Sequence, residues 1–248
     1  EAASRVVSSA PLRDATKDTL ATYIPRLAAL PLEFQPGSAW KYSALSGIDT
    51  LGRIVELASC MTFDQFLKAR VFDPLGMKDT SFYPDAPRMP RVPTIYRRTP
   101  AGLERQADPA WLSRTIFAGA AGLWSTAEDY AQFAQMLANG GELHGVRLLG
   151  PRTVALMASN HVGDLYEKSS PNGGRRGMGF GLTVEVVVDP VAAGRRQGVG
   201  SFGWDGAFGT HFWVDPKEQI IGVFLIQQGV NAPANRDVES AVMQAIVE

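Results

Sequence analysis

The residues able to do chemistry are few, and their spacing excludes several reactions. The only histidines are His144, His161 and His211. None has a ligand partner at helical spacing, so no metal site is expected, and each reads as a surface or turn residue. Cys60, the one cysteine, lies in an apolar stretch and reads as a buried, inert thiol; alone it supports neither an internal disulfide nor a thiolate metal site. Gly198, Gly200 and Gly203 spell GxGxxG, but strand signals follow and no βαβ unit surrounds them. No P-loop occurs, and the absence of GxSxG removes the nucleophile elbow of a Ser-His-Asp hydrolase. No cofactor is called for. Three other segments carry more information. The first is Pro36-Gly37-Ser38-Ala39-Trp40-Lys41-Tyr42-Ser43, with Leu51-Gly52-Arg53-Ile54-Val55-Glu56 behind it and Pro74-Leu75-Gly76-Met77-Lys78-Asp79-Thr80 downstream. The second runs from Gly119 through Gly122-Leu123-Trp124-Ser125-Thr126-Ala127-Glu128-Asp129 to Tyr130. The third is Phe202-Gly203-Trp204-Asp205-Gly206-Ala207-Phe208-Gly209-Thr210, followed by Trp213-Val214-Asp215-Pro216.

In order and spacing, these segments resemble the serine hydrolases of the class C β-lactamase type, a family that includes penicillin-recognising enzymes and the family VIII carboxylesterases. The resemblance covers nearly the whole chain. It implies an α+β fold, an antiparallel sheet flanked by helices beside a mostly helical lobe, with the active site between them. Three motifs make such a site: SxxK on the first turn of a helix, a tyrosine motif that Tyr42 matches, and KTG or WGG, which Trp204-Asp205-Gly206 matches. A serine hydroxyl becomes nucleophilic only with a base beside it. A tyrosine phenolate can serve, although its reference pKa of about 10 must be drawn down towards 7, which takes about 4 kcal/mol of differential stabilisation. The SxxK lysine would supply most of that. The oxyanion would be met by the serine N–H and by the N–H of Ala207; losing one such donor typically costs about 2.7–4 kcal/mol. Gly206, Ala207 and Gly209 are small enough to let a substrate approach the strand closely.

The resemblance also shows departures. Among all serines only Ser38-Ala39-Trp40-Lys41 fits SxxK. It coincides with the tyrosine motif, where Pro36-Gly37 before it and Tyr42 after it leave no room for a nucleophile helix, so Ser38 reads as structural. The nucleophile is expected upstream of Glu1, and the chain reads as the C-terminal two-thirds of such an enzyme. An upstream segment of the same protein is then an expected partner, since its absence would expose a sheet edge and apolar surface. Ala44 stands where β-lactamases place an asparagine, and Trp204 replaces a lysine. Both changes point to small carboxylic esters as substrates. Asp205 adds a negative charge expected to repel a substrate carboxylate; were a β-lactam nonetheless accepted, Arg175 or Arg176, before the first strand, would be the groups to supply the carboxylate contact. The alternatives are a β-lactamase or D-amino-acid amidase or peptidase, and a non-catalytic binding module that keeps the cleft without the nucleophile.

The elements that must position these residues follow from periodicity. Helices are expected over Thr16–Leu30, with Leu20, Tyr23, Ile24 and Leu27 inward and a cap at Thr16 or Asp14; over Ser46–Ser59, with Ile48, Leu51, Val55 and Ala58 inward; and over Thr62–Phe72, ended by Pro74 and Gly76. The proline-rich stretch from Phe82 to Leu112 reads as an irregular surface excursion. Ser125 and Glu128 form a capping box for a helix carrying Tyr130, Phe133, Ala134 and Leu137, stopped by Gly140-Gly141, and Pro151 opens another helix to Ala158. Strands are expected over Phe180–Val188, Ala207–Val214 and Gln219–Gln227, the last two joined by a turn from Asp215 to Glu218. Asn235 can cap a final helix with Val238, Val242 and Ile246 inward. Residues 1–175 thus form a mostly helical lobe and 176–248 the strands and last helix of one incomplete domain.

With 45% hydrophobic residues and a net charge of −1 over 248 residues, the chain is globular in composition and lacks the basic surface of a nucleic-acid binder. Its longest apolar run, Ile220 to Ile226, contains Gly222 and is too short to span a bilayer. No leader peptide is visible at Glu1, and the compartment, cytoplasmic or periplasmic, stays open.

Overall fold

A computed structural model of the chain describes residues 14, 16–43, 46–107, 115–170, 175–229 and 232–246. Its contacts separate two units, residues 1–92 with 108–125, and residues 93–107 with 126–248. Helices expected within the helical lobe, from 127 onward, therefore group with the strands.

In the first unit, α1 spans Leu20–Ala28. Its start lies later than expected because Thr19 and Thr22 cap each other: Thr19 N–H donates to Thr22 Oγ1 at 2.9 Å and Thr22 N–H to Thr19 Oγ1 at 3.3 Å. Asp14 instead accepts from Thr16 in a local turn. Leu20, Tyr23 and Ile24 are buried against Ile116 and Ala118, with Leu27 and Phe63 packed alongside. Helix α2, Ser46–Ser59, keeps its expected ends but turns a different face inward. Asp49 and Gly52 are buried, whereas Leu51, Ile54 and Leu57 are at least half exposed. The reason is close approach. A Cβ on Gly52 would lie 3.2 Å from Leu20 Cδ1, so glycine allows α1 to sit tightly there. Cys60 follows with φ +56° and is exposed, not buried as expected.

Helix α3, Phe63–Leu67, runs through a π-helical turn, Lys68–Phe72, into α4, Asp73–Leu75. Pro74 does not end this run, because it occupies the first turn of α4, where a missing N–H costs nothing. Gly76, at φ +71°, ends it. Phe82 packs edge-on against Phe117 at 5.3 Å and Tyr83 donates to the Ile116 carbonyl at 3.1 Å. Two of the sequence motifs meet here: Ser81 and Trp124 exchange backbone hydrogen bonds, and Thr80 Oγ1 lies 2.8 Å from Ser125 Oγ.

The second unit begins inside the proline-rich stretch with a hairpin, β1 (Tyr96–Thr99) and β2 (Gly102–Arg105), where irregular chain was expected; the remainder of that excursion, 108–112, lies outside the described residues. Helix α5 spans Ala127–Ala138, capped by Thr126, whose Oγ1 accepts from Asp129 N–H at 3.2 Å. The cap is one residue later than expected because Ser125 is engaged with Thr80. A small hairpin, β3 (Glu142–Leu143) and β4 (Val146–Arg147), leads to α6 (Pro151–Met157) and α7 (Leu165–Lys168).

The sheet then forms as a five-stranded antiparallel meander: β5 (Met178–Phe180), β6 (Glu185–Val187), β7 (Phe202–Asp205), β8 (His211–Asp215) and β9 (Ile220–Phe224), with α8 (Pro190–Ala193) between β6 and β7. The strand expected over 180–188 is broken into β5 and β6. Gly181 meets the Met157 carbonyl so closely that a Cβ would lie 2.1 Å from it, and Thr183 turns the chain at φ +71°. The strand expected from Ala207 starts at His211, after a tight turn. Gly203, last of the GxGxxG glycines, lies in β7 with no room for a Cβ beside the Phe212 carbonyl; its freedom serves strand packing. Asp215 makes the β8–β9 turn by accepting from the N–H groups of Lys217 and Glu218 at 3.0 and 3.1 Å.

The last helix, α9, spans Ala232–Gln244, so Asn235 lies inside it and does not cap it. Its buried positions are Asn235, Glu239 and Met243, an i, i+4, i+8 face, while Val242 and Ile246 are partly exposed. Among the described residues no helix is long and apolar enough to cross a membrane. Trp213 lies flat across its β9 partner Gly222, where a Cβ would fall 2.1 Å from the ring. Gly222→Val should therefore destabilise the chain by about 2–3 kcal/mol in urea unfolding, whereas Gly229→Ala, which meets nothing within 4 Å, should change little.

Candidate active site

In the first unit the site residues cluster just before α2. Tyr42 lies in irregular chain, 52% exposed, four residues before the helix begins. Ser43 Oγ caps the first turn by accepting from Gly47 N–H at 2.9 Å. Ser38 occupies a turn, not a helix, and its hydroxyl donates to the Gln35 carbonyl at 2.6 Å; Lys41 is ion-paired with Glu33. That arrangement suits a structural Ser38. The Gly119 segment is laid against α2: a Cβ on Gly119 would lie 2.4 Å from the Ile48 carbonyl oxygen, and Ala120 N–H donates to Asp49 Oδ1 at 3.2 Å. Ala44 lies outside the described residues.

In the second unit Trp204, Asp205, Gly206 and Ala207 are contiguous, at the end of β7 and the start of its turn. Gly206 N–H donates to the Thr210 carbonyl at 2.7 Å and Gly209 N–H to the Gly206 carbonyl at 3.0 Å, which closes the turn. Gly206 has no space for a side chain, since Thr210 Oγ1 would lie 2.0 Å from its Cβ; Gly209 has φ +85°. Ala207 is exposed, and its N–H meets no acceptor among the described residues. Trp204 packs edge-on against Phe180 at 5.3 Å.

Asp205 alternates to the other side of β7, towards α9. Its Oδ1 accepts from His211 Nδ1–H at 2.8 Å and from Asn235 Nδ2–H at 2.7 Å. His211, its cross-strand partner, also places Nε2 3.7 Å from Glu239 Oε1 and stacks on Trp213 at 5.4 Å. Arg195 bonds Glu239 and lies 3.7 Å from Glu185, which accepts from Tyr166 OH at 3.0 Å. Burial alone would lower the His211 pKa, but the hydrogen bond to Asp205 and the nearby charges of Asp205 and Glu239 outweigh it and raise it to about 9. Burial likewise pushes Asp205 up, and the bonds from His211 and Asn235 overcome this and hold it below the usual carboxylate range. Asp205 is thus half of an ion pair near neutral pH. The lone repelling charge expected from the sequence is not what the fold contains. Arg175, the alternative source of a substrate-carboxylate contact, lies 4.6 Å over the Tyr166 ring and donates to Ser169 Oγ at 2.6 Å.

The Beta-lactamase family profile matches residues 4–245. The chain belongs to the Beta-lactamase family. Similar proteins include an uncharacterized protein of Mycobacterium tuberculosis, 38% identical over 213 residues, covering 83% of this chain and 53% of that protein. Esterase EstB of Burkholderia gladioli is 31% identical over 242 residues, covering 88% of this chain and 57% of EstB. Among solved structures, EstCE1, a hydrolase with promiscuous acyltransferase activity, superposes with a TM-score of 0.80 at 27% identity, covering 94% of this chain and 64% of that one. The chain spans about half the length of the curated relatives it matches.

For this Beta-lactamase-family chain the sequence pattern does not disclose the polar cluster behind Trp204-Asp205-Gly206. His211, expected as a surface or turn residue, is a strand residue with a side chain only 10% exposed. His144 and His161 do lie in a turn and a loop. A signal for His211 was present in its two-residue distance from Trp213 on one strand face. Because its folded pKa lies above the unfolded value of about 6.5, His211 stabilises the chain fully below about pH 6.5. That contribution fades as pH rises and is gone above about 9. Urea unfolding from pH 6 to pH 10 should lose up to about 3 kcal/mol from this source, and His211→Asn should remove most of the slope.

Proposed function

We propose that this chain supplies the tyrosine and third-motif parts of a serine hydrolase that forms an acyl-enzyme with small carboxylic esters. The nucleophile comes from an SxxK segment upstream of Glu1. The observation that carries the reading is the exposed Ala207 N–H, which has no acceptor among the described residues and lies inside the turn closed by the N–H groups of Gly206 and Gly209. A backbone donor in that condition suits a developing oxyanion. The similarity to esterase EstB supports the substrate class.

Tyr42 is the general base in this scheme. Elimination supports it among the six tyrosines. Tyr23 is fully buried, Tyr83 OH is bonded to a carbonyl, and burial raises Tyr130 to about 12 and Tyr166 well above the tyrosine range. Tyr96, in β1, is exposed and its N–H is bonded to the Gln227 carbonyl, so the match of Pro36-Gly37 and Trp40-Lys41-Tyr42 to the tyrosine motif is what favours Tyr42 over it. The phenolate of Tyr42 takes the serine proton as Oγ bonds to the ester carbon and the carbonyl pair moves onto oxygen, towards Ala207 N–H. Collapse expels the alkoxide, which takes the proton back from Tyr42. Water then repeats both steps to release the acid. Trp204, apolar and neutral, walls the acyl or alcohol group.

The upstream segment has physical support. β9 is an edge strand among the described residues, carrying Ile220, Ile221, Val223 and Phe224. An apolar open edge is normally covered. The Leu51, Ile54 and Leu57 stripe on α2 is a second uncovered apolar surface.

Intact mass spectrometry should find no adduct between residues 1–248 and a serine-directed phosphonate, while the full-length protein should label stoichiometrically; an adduct on Ser38 would refute the assignment. In the full-length protein Tyr42→Phe should lower kcat at least about 10²-fold with little change in stability. Side by side, p-nitrophenyl butyrate should exceed nitrocefin in kcat/KM by about a hundredfold, since Ala44 and Trp204 leave two charge-assisted or polar contacts to a β-lactam unmade. Equal rates would favour a β-lactamase or peptidase.

A further inference from the structure

The proposed reaction uses the N–H of Ala207 but does not explain what holds it in place. A turn of small residues at a strand end is intrinsically loose, because glycine gains the most conformational freedom when released. Here the residue immediately before the turn is tied both to the neighbouring strand and to the last helix. Asp205 Oδ1 receives two hydrogen bonds, from His211 across the ladder and from Asn235 on α9. Asn235 is 3% exposed and lies inside its helix, so its side chain is committed by packing as well as by bonding. Thr210, immediately before His211, closes the same turn from its other end through its carbonyl and Gly206.

We propose that Asp205, His211 and Asn235 form a clamp that positions the Ala207 N–H, with the ionic chain through Glu239 and Arg195 to Glu185 holding the clamp between the sheet and the last helix. These are positioning residues; none need touch substrate. The charged groups facing His211 are Asp205 from β7 and Glu239 from α9; Trp213 of β8 stacks on its ring, and its cross-strand partner on β9 is the apolar Phe224. Arg195 joins Glu239 from the segment after α8, and Glu185 joins Arg195 from β6. Asp205 at this position is therefore used by the fold to fix backbone geometry two residues away. The proposal rests on the hydrolase reading only for its effect on turnover.

The test uses the full-length protein and three variants, Asn235→Ala, Asp205→Asn and, as a control on the same helix, Val242→Ala, whose side chain is partly exposed. In the first two, amide hydrogen exchange at Gly206 and Gly209, whose N–H groups close the turn on the Thr210 and Gly206 carbonyls, should quicken at pH 7 while the protein remains folded by circular dichroism. On p-nitrophenyl butyrate their kcat should fall about tenfold to a hundredfold with KM changed less than twofold, because a displaced donor is felt only as charge develops. Val242→Ala should match wild type in both readouts. Unchanged exchange at Gly206 in Asn235→Ala overturns the clamp, as does quickened exchange with undiminished kcat. If the wild-type protein neither turns over ester nor reacts with the phosphonate, the hydrolase reading fails, and the exchange at Gly206 still decides whether the clamp exists.

Discussion

A charge can be buried beneath this sheet only in company, and that constraint organises the second unit. His211, Glu239 and Asn235 are all removed from water, and each would be costly alone. Their mutual contacts dictate the rotation of α9, which turns Asn235, Glu239 and Met243 inward and leaves Val242 and Ile246 at the surface. They also dictate the position of Arg195, which must meet both Glu239 and Glu185. The sheet, the last helix and the segment after α8 are fitted together by polar pairing as much as by apolar packing.

The second constraint is backbone proximity. Gly203 beside the Phe212 carbonyl, Gly206 beside Thr210 and Gly222 beneath Trp213 each occupy space that no Cβ could share. The same device recurs in the first unit, where Gly119 meets Ile48 and Gly52 meets Leu20. These contacts bring the segments named by the sequence motifs into place, so the motifs record packing as well as chemistry. Thr80 with Ser125, and Ser81 with Trp124, are examples in which two motifs far apart in the chain are partners in space.

Element types, the antiparallel meander and the location of Trp204 and Ala207 were legible because they depend on local pattern: glycine at turns, alternation in strands, and a short motif. Faces were less legible. Periodicity assigns the inward side of a helix to its apolar stripe, and both α2 and α9 break that rule. On α2 a glycine and a buried aspartate decide the inward face, because Leu20 needs the room and Ala120 N–H needs an acceptor. On α9 the partners of Asn235 and Glu239 lie more than twenty residues away, and no local window contains them. His211 differs: Asp205 is only six residues away, but the two become neighbours only when β7 and β8 pair, a register that the sequence pattern does not set. The division near 175/176 also differs, because α5 packs with the strands and a sequence scan cannot see which layer a helix joins.

Cys60, the only thiol in the chain, ends α2 in a left-handed conformation and is open to solvent. A reagent that modifies thiols would therefore attach at one place, at the end of the helix that follows Tyr42, without competing products. Within residues 1–248 the thiol has no second cysteine to pair with. That one residue makes this stretch simple to label with a spectroscopic probe, and a reductant keeps the thiol available.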